Sequence, residues 1–343
     1  MKKILLFLLV SILLGGLIIG FTIKDWVWGS NVKDNLSSYE LFIPTGSKYD
    51  DVKAILADND FLENFSSFDF VASAMKFKKS KIKPGRYILK SGMNNRELIS
   101  LLRSGKQTPV KITFNNVRTV NDLMGKISKY IEADSASLVK TVLDSSVLDK
   151  WGYSENTILS MFIPNTYEFF WNTDAMKFLN RMKLEHDKFW NKDNRKIKAV
   201  ALDLNEKEVF TLASIVQKET LANDEKPKVA SVYLNRLKRG LLLQADPTVV
   251  FATGQFDLKR VLNKHLKYDS PYNTYMYAGL PPGPICMPDV SSIDAVLNAD
   301  ETNYLYFCAK PDGSGYHAFA KNLKQHNKNA NKYRRWLNNR RIK

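Results

Sequence analysis

At 343 residues, with 44% hydrophobic and 25% charged side chains, the chain is too apolar for a disordered polymer and long enough for more than one domain. Its 51 basic residues against 35 acidic ones give a net charge of +16, which taken alone would suggest a nucleic-acid partner. Two cysteines, Cys286 and Cys308, are too few for a disulfide framework, and His186, His265, His317 and His326 show no metal-ligand spacing.

Residues 4–23, ILLFLLVSILLGGLIIGFTI, carry no charge and are long enough to cross the hydrocarbon layer as a helix. The run ends in Ile23-Lys24-Asp25-Trp26-Val27-Trp28 without the small-residue pattern of a cleavage site, so an uncleaved anchor is expected rather than a signal peptide. Lys2 and Lys3 precede it, which by the positive-inside tendency keeps the N-terminus cytoplasmic and exports the rest, with Trp26 and Trp28 at the interface. Export removes nucleic acid as a partner for the positive charge and leaves anionic lipid head groups or an acidic cell-wall polymer. The Lys-, Arg- and Asn-rich terminus, NLKQHNKNANKYRRWLNNRRIK, reads as a solvated helix. Cys286 and Cys308 could pair outside the cytoplasm, and the sequence leaves that open.

After a polar connector at 26–37, ELFIPTGSKYDDVKAILADNDFL reads as strand, turn and helix, with Val52, Ile55 and Leu56 on one face. A helical FDFVASAMKF follows, then a turn at Pro84-Gly85, a strand from Arg86 to Leu89, and a helix capped by Asn94 and ended by Gly105. This is a small β-α-α-β domain at 38–107. VKITFNNVRTVNDLMGKISKYI echoes strand, turn and helix in a linking subdomain at 108–160. From 161 to 343 the elements alternate quickly: an aromatic, turn-like FIPNTYEFFWNT, a long amphipathic helix from Asp174 to about Trp190, helices from Lys207 to Leu221 and Pro227 to Leu237, and then loops with short strands through QADPTVVFATG, PYNTYMYAGLPPGPICMPD and NYLYFCAKPDGSGYHAF. The class expected is α+β behind an N-terminal anchor in residues 1–25.

Within the first of those two helices, SIVQKET at 214–220 sets an amide, an ammonium and a carboxylate side by side. At 100° per residue Leu212, Ile215, Val216 and Glu219 share a stripe, while Gln217 and Lys218 point away from it. A carboxyl group among apolar neighbours has its ionised form disfavoured, so Glu219 can stay protonated near neutral pH and serve as a general acid. Gln217 has no labile proton to give, and Lys218 lies on the polar side. Periodicity alone equally allows Glu219 to end the buried stripe and pair with a surface cation.

The blocks SIVQKET, VASVYLNRLKRGLLLQADPTVVFATG, YNTYMYAGLPPGPICMPD and YLYFCAKPDGSGYHAFAKNLKQHNK together resemble the endolytic murein transglycosylases of the YceG-like family, in the same order along the chain. The resemblance implies that 161–343 is the catalytic domain, that Glu219 is the catalytic acid, and that no cofactor is needed. The family usually carries glutamate at both ends of an E-K-E triplet, and Gln217 departs from that pattern. Gln244, Asp246, Thr248, Asn273, Thr274, Tyr275, His317 and Asn322 match family positions expected to bind the glycan, although Asp246-Pro247 and Asn273 equally suit turns and His317 a strand end. The 38–107 domain is similar to a LysM-like module, for which glycan binding or simple spacing are both open.

What the resemblance implies is non-hydrolytic cleavage of the β-1,4 bond between N-acetylmuramic acid and N-acetylglucosamine in nascent peptidoglycan, leaving 1,6-anhydromuramoyl ends. It further implies an enzyme of the cell membrane, with glycan strands as substrate and peptidoglycan synthases as partners. One carboxyl group suffices, because the muramoyl C6 hydroxyl takes the place of water. The competing reading is a non-catalytic wall-binding scaffold. No Ser-His-Asp or Cys-His set supports amidase or protease chemistry.

Overall fold

The computed structural model describes residues 2–340 except 36 and 259. The chain divides into two compact units, one formed by Met1–Ile112, Tyr130–Ala133 and Glu168–Asp174 and the other by Thr113–Lys129, Asp134–Tyr167 and Ala175–Lys343. The stretch read from sequence as a linking subdomain contributes to both.

The first unit begins with α1 (Lys2–Trp28), whose 27 residues rise about 40 Å. Its apolar side chains from Ile4 to Phe21 are exposed, and the helix is long and apolar enough to cross a membrane. Only its last turns join the fold. The Trp26 ring meets Phe70 edge-on at 5.3 Å, and the Trp26 carbonyl accepts from the Asn95 amide at 2.9 Å. Asn95 is wholly buried and also bonds Asn31 and Ser67, so burying these amides costs little because each is paired.

Then come β1 (Ser38–Ile43), α2 (Tyr49–Asp58), α3 (Phe65–Ala74), β2 (Gly85–Lys90) and α4 (Asn95–Ser104). This is the β-α-α-β order expected, with the extra helix capped by Asn94 and ended by Gly105 at φ 70°. β1 and β2 pair antiparallel, Ser38 opposite Lys90 and Ile43 opposite Gly85. Alternation puts Leu41, Ile43, Tyr87 and Leu89 on one face, where Val52, Leu56, Phe68, Leu98 and Ile99 close over them. Fully burying each such side chain contributes about 1.5–3 kcal/mol.

β3 (Val110–Phe114) leads into α5 (Val120–Ile127), α6 (Ser135–Val142) and α7 (Ser145–Trp151), and β4 (Asn165–Phe169) pairs with β3. The aromatic segment read as turn-like therefore contains a strand. Its Tyr167 and Phe169 alternate with exposed Thr166 and Glu168, the period-2 pattern of a half-buried strand, which the many aromatics obscured.

The rest of the second unit comprises α8 (Ala175–Asn191), α9 (Arg195–Ala201), α10 (Glu206–Glu219), α11 (Lys226–Lys238), α12 (Asp246–Thr253), α13 (Asn263–Leu266), α14 (Val290–Leu297), the antiparallel ribbon of β5 (Tyr306–Ala309) and β6 (His317–Ala320), and α15 (Leu323–Asn339). α12 replaces the loops and strands expected for QADPTVVFATG. Pro247 sits in its first turn, where the missing N–H is no loss, and Gly254 ends it at φ 65°. α15 buries none of its residues, as expected of a solvated helix. Cys286 and Cys308 are both free.

α10 is the axis of this unit. Asn205 accepts from the Lys207 and Glu208 amides while Glu208 reaches back to the Asn205 N–H, a reciprocal cap that fixes where the helix starts. Every residue from Val209 to Gln217 is buried, packed against α11, α12 and α14. The helix stops at Glu219, with Thr220 extended at φ −145° and ψ 142°.

Candidate active site

Glu219 closes the last turn of the buried helix and faces a cavity of about 320 Å³. The cavity is lined by groups from five further sources: Tyr233 and Arg236 of α11, Gln244 and Asp246 at the start of α12, Tyr275 from the loop before α14, Tyr306 and Phe307 of β5, and Leu323 and His326 of α15. Tyr233 and Arg236 are three apart, so they present to one side of their helix.

The Glu219 carboxyl group is half-buried and has one direct hydrogen-bond partner among the described residues: the Tyr233 hydroxyl donates to Oε1 at 2.6 Å. Burial among apolar and aromatic groups pushes its pKa up to about 7. The Tyr233 hydrogen bond favours the ionised form and opposes this, while the negative charge of Asp246 raises the value further. Desolvation wins because it acts on the whole carboxylate, whereas the tyrosine satisfies one of its two oxygens. Asp246 has its own donor, the Tyr275 hydroxyl at 2.6 Å.

Arg236 holds the cavity wall together. Its Nε donates to the Leu305 carbonyl at 2.7 Å, and its Nη1 donates to the Leu242 and Leu243 carbonyls at 2.9 and 3.0 Å and to Gln244 Oε1 at 3.1 Å. The guanidinium also lies 5.0 Å from the Tyr306 ring centre. Gln244 adopts φ 53°, a left-handed conformation uncommon outside glycine, and is held there by this bond and by its N–H to the Thr274 carbonyl at 3.0 Å.

The eight residues expected from sequence to bind the glycan fall into two sets. Gln244, Asp246 and Tyr275 line the cavity. Thr248, Asn273 and Thr274 are at most 1% exposed and are occupied internally. Thr248 and Thr274 share a 2.8 Å hydroxyl bond, and Thr274 Oγ1 receives the Ala245 N–H at 3.0 Å. Asn273 donates to the Leu266 and Tyr268 carbonyls and accepts from the Tyr275 N–H, so it sets the loop that delivers Tyr275. His317 and Asn322 lie outside the lining. The His317 N–H and Nδ1 both bond Glu225 at 2.7 Å, tying β6 to the loop that follows Glu219, and Asn322 caps α15. Tyr233, Arg236 and His326 were not singled out from sequence, yet Arg236 in VASVYLNRLKRG carries the signal that marked Glu219, a charge on the stripe of Val229, Val232 and Tyr233.

Gln217, expected to point away from the apolar stripe into a polar face, is buried as well, because α10 is covered on nearly every side. Its Oε1 accepts from Lys226 Nζ at 3.2 Å and from Ser292 Oγ at 2.5 Å, and its Nε2 donates to Asp289 at 3.1 Å. Lys226 is 2% exposed and, among the described residues, otherwise bonds only Ser291 Oγ, so desolvation lowers its pKa. Lys218 is exposed and reaches Asn116.

A family model described as the YceG-like family matches residues 41–332. The chain belongs to the YceG-like family. Among its relatives, the endolytic murein transglycosylase of Bacillus subtilis (strain 168) is 31% identical over 323 residues, covering 88% of this chain and 86% of that protein. The endolytic murein transglycosylase of Streptococcus pneumoniae serotype 2 is 26% identical over 319 residues, 84% of this chain and 57% of that longer protein. A crystal structure of a YceG-like protein from Listeria monocytogenes is similar with a TM-score of 0.55 and 29% identity, over 85% of this chain and 98% of that one.

In this YceG-like chain the buried Lys226 makes position 217 a test of the packing beneath the acid. Gln217→Glu keeps an acceptor for Lys226 and Ser292 but gives up the donor to Asp289, and should cost less stability than an apolar replacement. Gln217→Leu leaves the ammonium with one hydroxyl partner and should lose about 1–3 kcal/mol. Chemical denaturation measures both, and a Gln217→Leu protein as stable as the parent contradicts the network.

Proposed function

We propose that this protein is a membrane-anchored endolytic peptidoglycan transglycosylase that cleaves the β-1,4 bond between N-acetylmuramic acid and N-acetylglucosamine and leaves 1,6-anhydromuramoyl ends. The observation that carries the reading is Glu219, a half-buried acid facing an open cavity with its pKa raised to about 7 and one oxygen held by Tyr233. The relatives named as murein transglycosylases supply the substrate class.

Glu219 enters the reaction protonated. With Oε1 occupied by Tyr233, Oε2 is the oxygen left to carry the proton toward the glycosidic oxygen. As the leaving group departs, positive charge grows on the sugar ring and negative charge on Glu219. The Tyr233 hydrogen bond favours that carboxylate, and Asp246, which lines the same cavity, is the negative group available to stabilise the ring's positive charge. The Glu219 carboxylate then takes the proton of the C6 hydroxyl as that oxygen closes on the anomeric carbon, which restores the acid without water. Gln244 and Tyr275 offer hydrogen-bonding groups for the acetamido and hydroxyl substituents, and Tyr306 and Phe307 supply aromatic faces. In this reading α1 holds the enzyme in the cell membrane with its N-terminus cytoplasmic, beside the synthases whose strands it terminates, and the LysM-like unit holds the glycan.

Glu219→Gln should abolish formation of anhydro-ended fragments from purified peptidoglycan, read by mass spectrometry. Reducing ends from the parent enzyme would mean hydrolysis, and no products would return the scaffold reading. The same substitution should stabilise the fold at alkaline pH. Between pH 4.5 and about 7 the unfolded chain releases the Glu219 proton while the folded chain retains it, so the acid costs stability as pH rises through that window, up to about 3 kcal/mol at pH 8. The Glu219→Gln variant should therefore melt higher than the parent at pH 8 and level with it near pH 4.

Two further variants separate the groups that set the alkaline limb of the pH–rate profile. Tyr233→Phe removes the donor that favours the ionised acid and should move the limb to higher pH. Asp246→Asn removes the charge that favours the protonated acid and should move it lower. Movement of both in one direction contradicts the assignment.

A further inference from the structure

Helix α15 separates its side chains by charge. His326, Asn329, Ala330, Tyr333, Trp336 and Leu337 are the partly covered ones, and they fall on the side that packs on β5 and β6. Lys324, Lys328, Lys332 and Arg335 are exposed and, at 100° per residue, cluster on the opposite side. Successive lysines rise about 6 Å along the axis, giving a straight row of cations. The last acidic residue of the chain is Asp312, so nothing on the helix neutralises the row, and none of the four cations forms an ion pair among the described residues. Like charges four apart repel by about 0.2–0.5 kcal/mol per pair, a cost that a helix with no buried residue has little packing to offset.

We propose that this face of α15 docks a linear polyphosphodiester, an anionic polymer whose phosphates run along the row of lysines. Charge complementarity and the regular spacing both fit an extended polyanion. A lipid surface fits less well: an interfacial helix buries an apolar face among acyl chains, and here Tyr333, Trp336 and Leu337 are turned toward the protein's own ribbon, with Tyr333 stacked on Trp336 at 5.8 Å. Leu323 and His326 on the first turn wall the Glu219 cavity, so the row of cations runs along the side of α15 turned away from the site. The proposal rests on the reading above only in placing α15 outside the cell among wall polymers.

The test is binding of a fluorescent synthetic oligo(glycerol phosphate) to the full chain in phosphatidylcholine nanodiscs, which requires no glycan cleavage and so can fail independently of the enzymatic reading. Replacing Lys324, Lys328 and Lys332 by Gln keeps helix propensity and should weaken binding at least tenfold, and should reduce the slope of log K against log salt by about 2. Replacing Lys140, Lys150 and Lys264, exposed lysines elsewhere in the same unit, should change affinity less than twofold. Equal losses in both triple variants, or none in the α15 variant, would overturn the proposal. So would loss of polymer binding when the discs contain phosphatidylglycerol, since the row would then be lying on lipid.

Discussion

A carboxyl group is held at the end of a helix that is buried on nearly every side, and the proposed chemistry depends on the cost of that placement. In water a glutamate ionises well below neutrality. At the end of α10 the ionised form of Glu219 has lost most of its solvent, and one tyrosine hydroxyl does not replace it. The proton is retained to about pH 7, where an acid can both give and recover it. The raised pKa is therefore a property of the packing of Phe210, Leu212, Ile215 and Val216 as much as of the glutamate itself.

Maintaining that position takes polar groups as well as apolar ones. Beneath the acid, Gln217 links Lys226 of α11 to Asp289 and Ser292 at the start of α14, so three helices are tied within two residues of Glu219. Above it, Arg236 draws the 242–244 segment and Leu305, the residue before β5, to one guanidinium, and Glu225 clasps His317 just beyond the helix end. These groups are buried and bonded, a costly arrangement if any partner is removed and a specific one while all are present. The strained Gln244 and the disfavoured carboxylate lie at the cavity, which is where a site that favours reactivity over stability would have them.

The sequence made part of this legible. The anchor, the β-α-α-β unit and the helical placement of Glu219 follow from uninterrupted hydropathy, turn residues and the 3.6-residue period, all of which are local signals. α12 and β4 were hidden by their composition: Pro247 and the turn-forming Asp246 masked a helix start, and a run of aromatics masked a strand's alternation. Periodicity gave Gln217 a polar face because it cannot show that α14 covers that side. For Thr248, Asn273 and Thr274 a polar residue at a family position reads the same whether it points at a ligand or at a backbone carbonyl. Only the fold shows that these three are spent inside, and that Tyr233 and Arg236 of α11 and His326 of α15 meet at the cavity.

The most direct measurement of the central claim is the pKa of Glu219 itself, read from the carboxyl carbon chemical shift in protein labelled with ¹³C at glutamate, with Glu219→Gln used to assign the resonance. The account predicts a titration near pH 7, well separated from the surface glutamates. A Glu219 resonance that titrates with them near pH 4.5 would show that the carboxyl group is solvated as an ordinary surface acid, and would contradict the claim that burial at the end of α10 makes it the acid of the reaction.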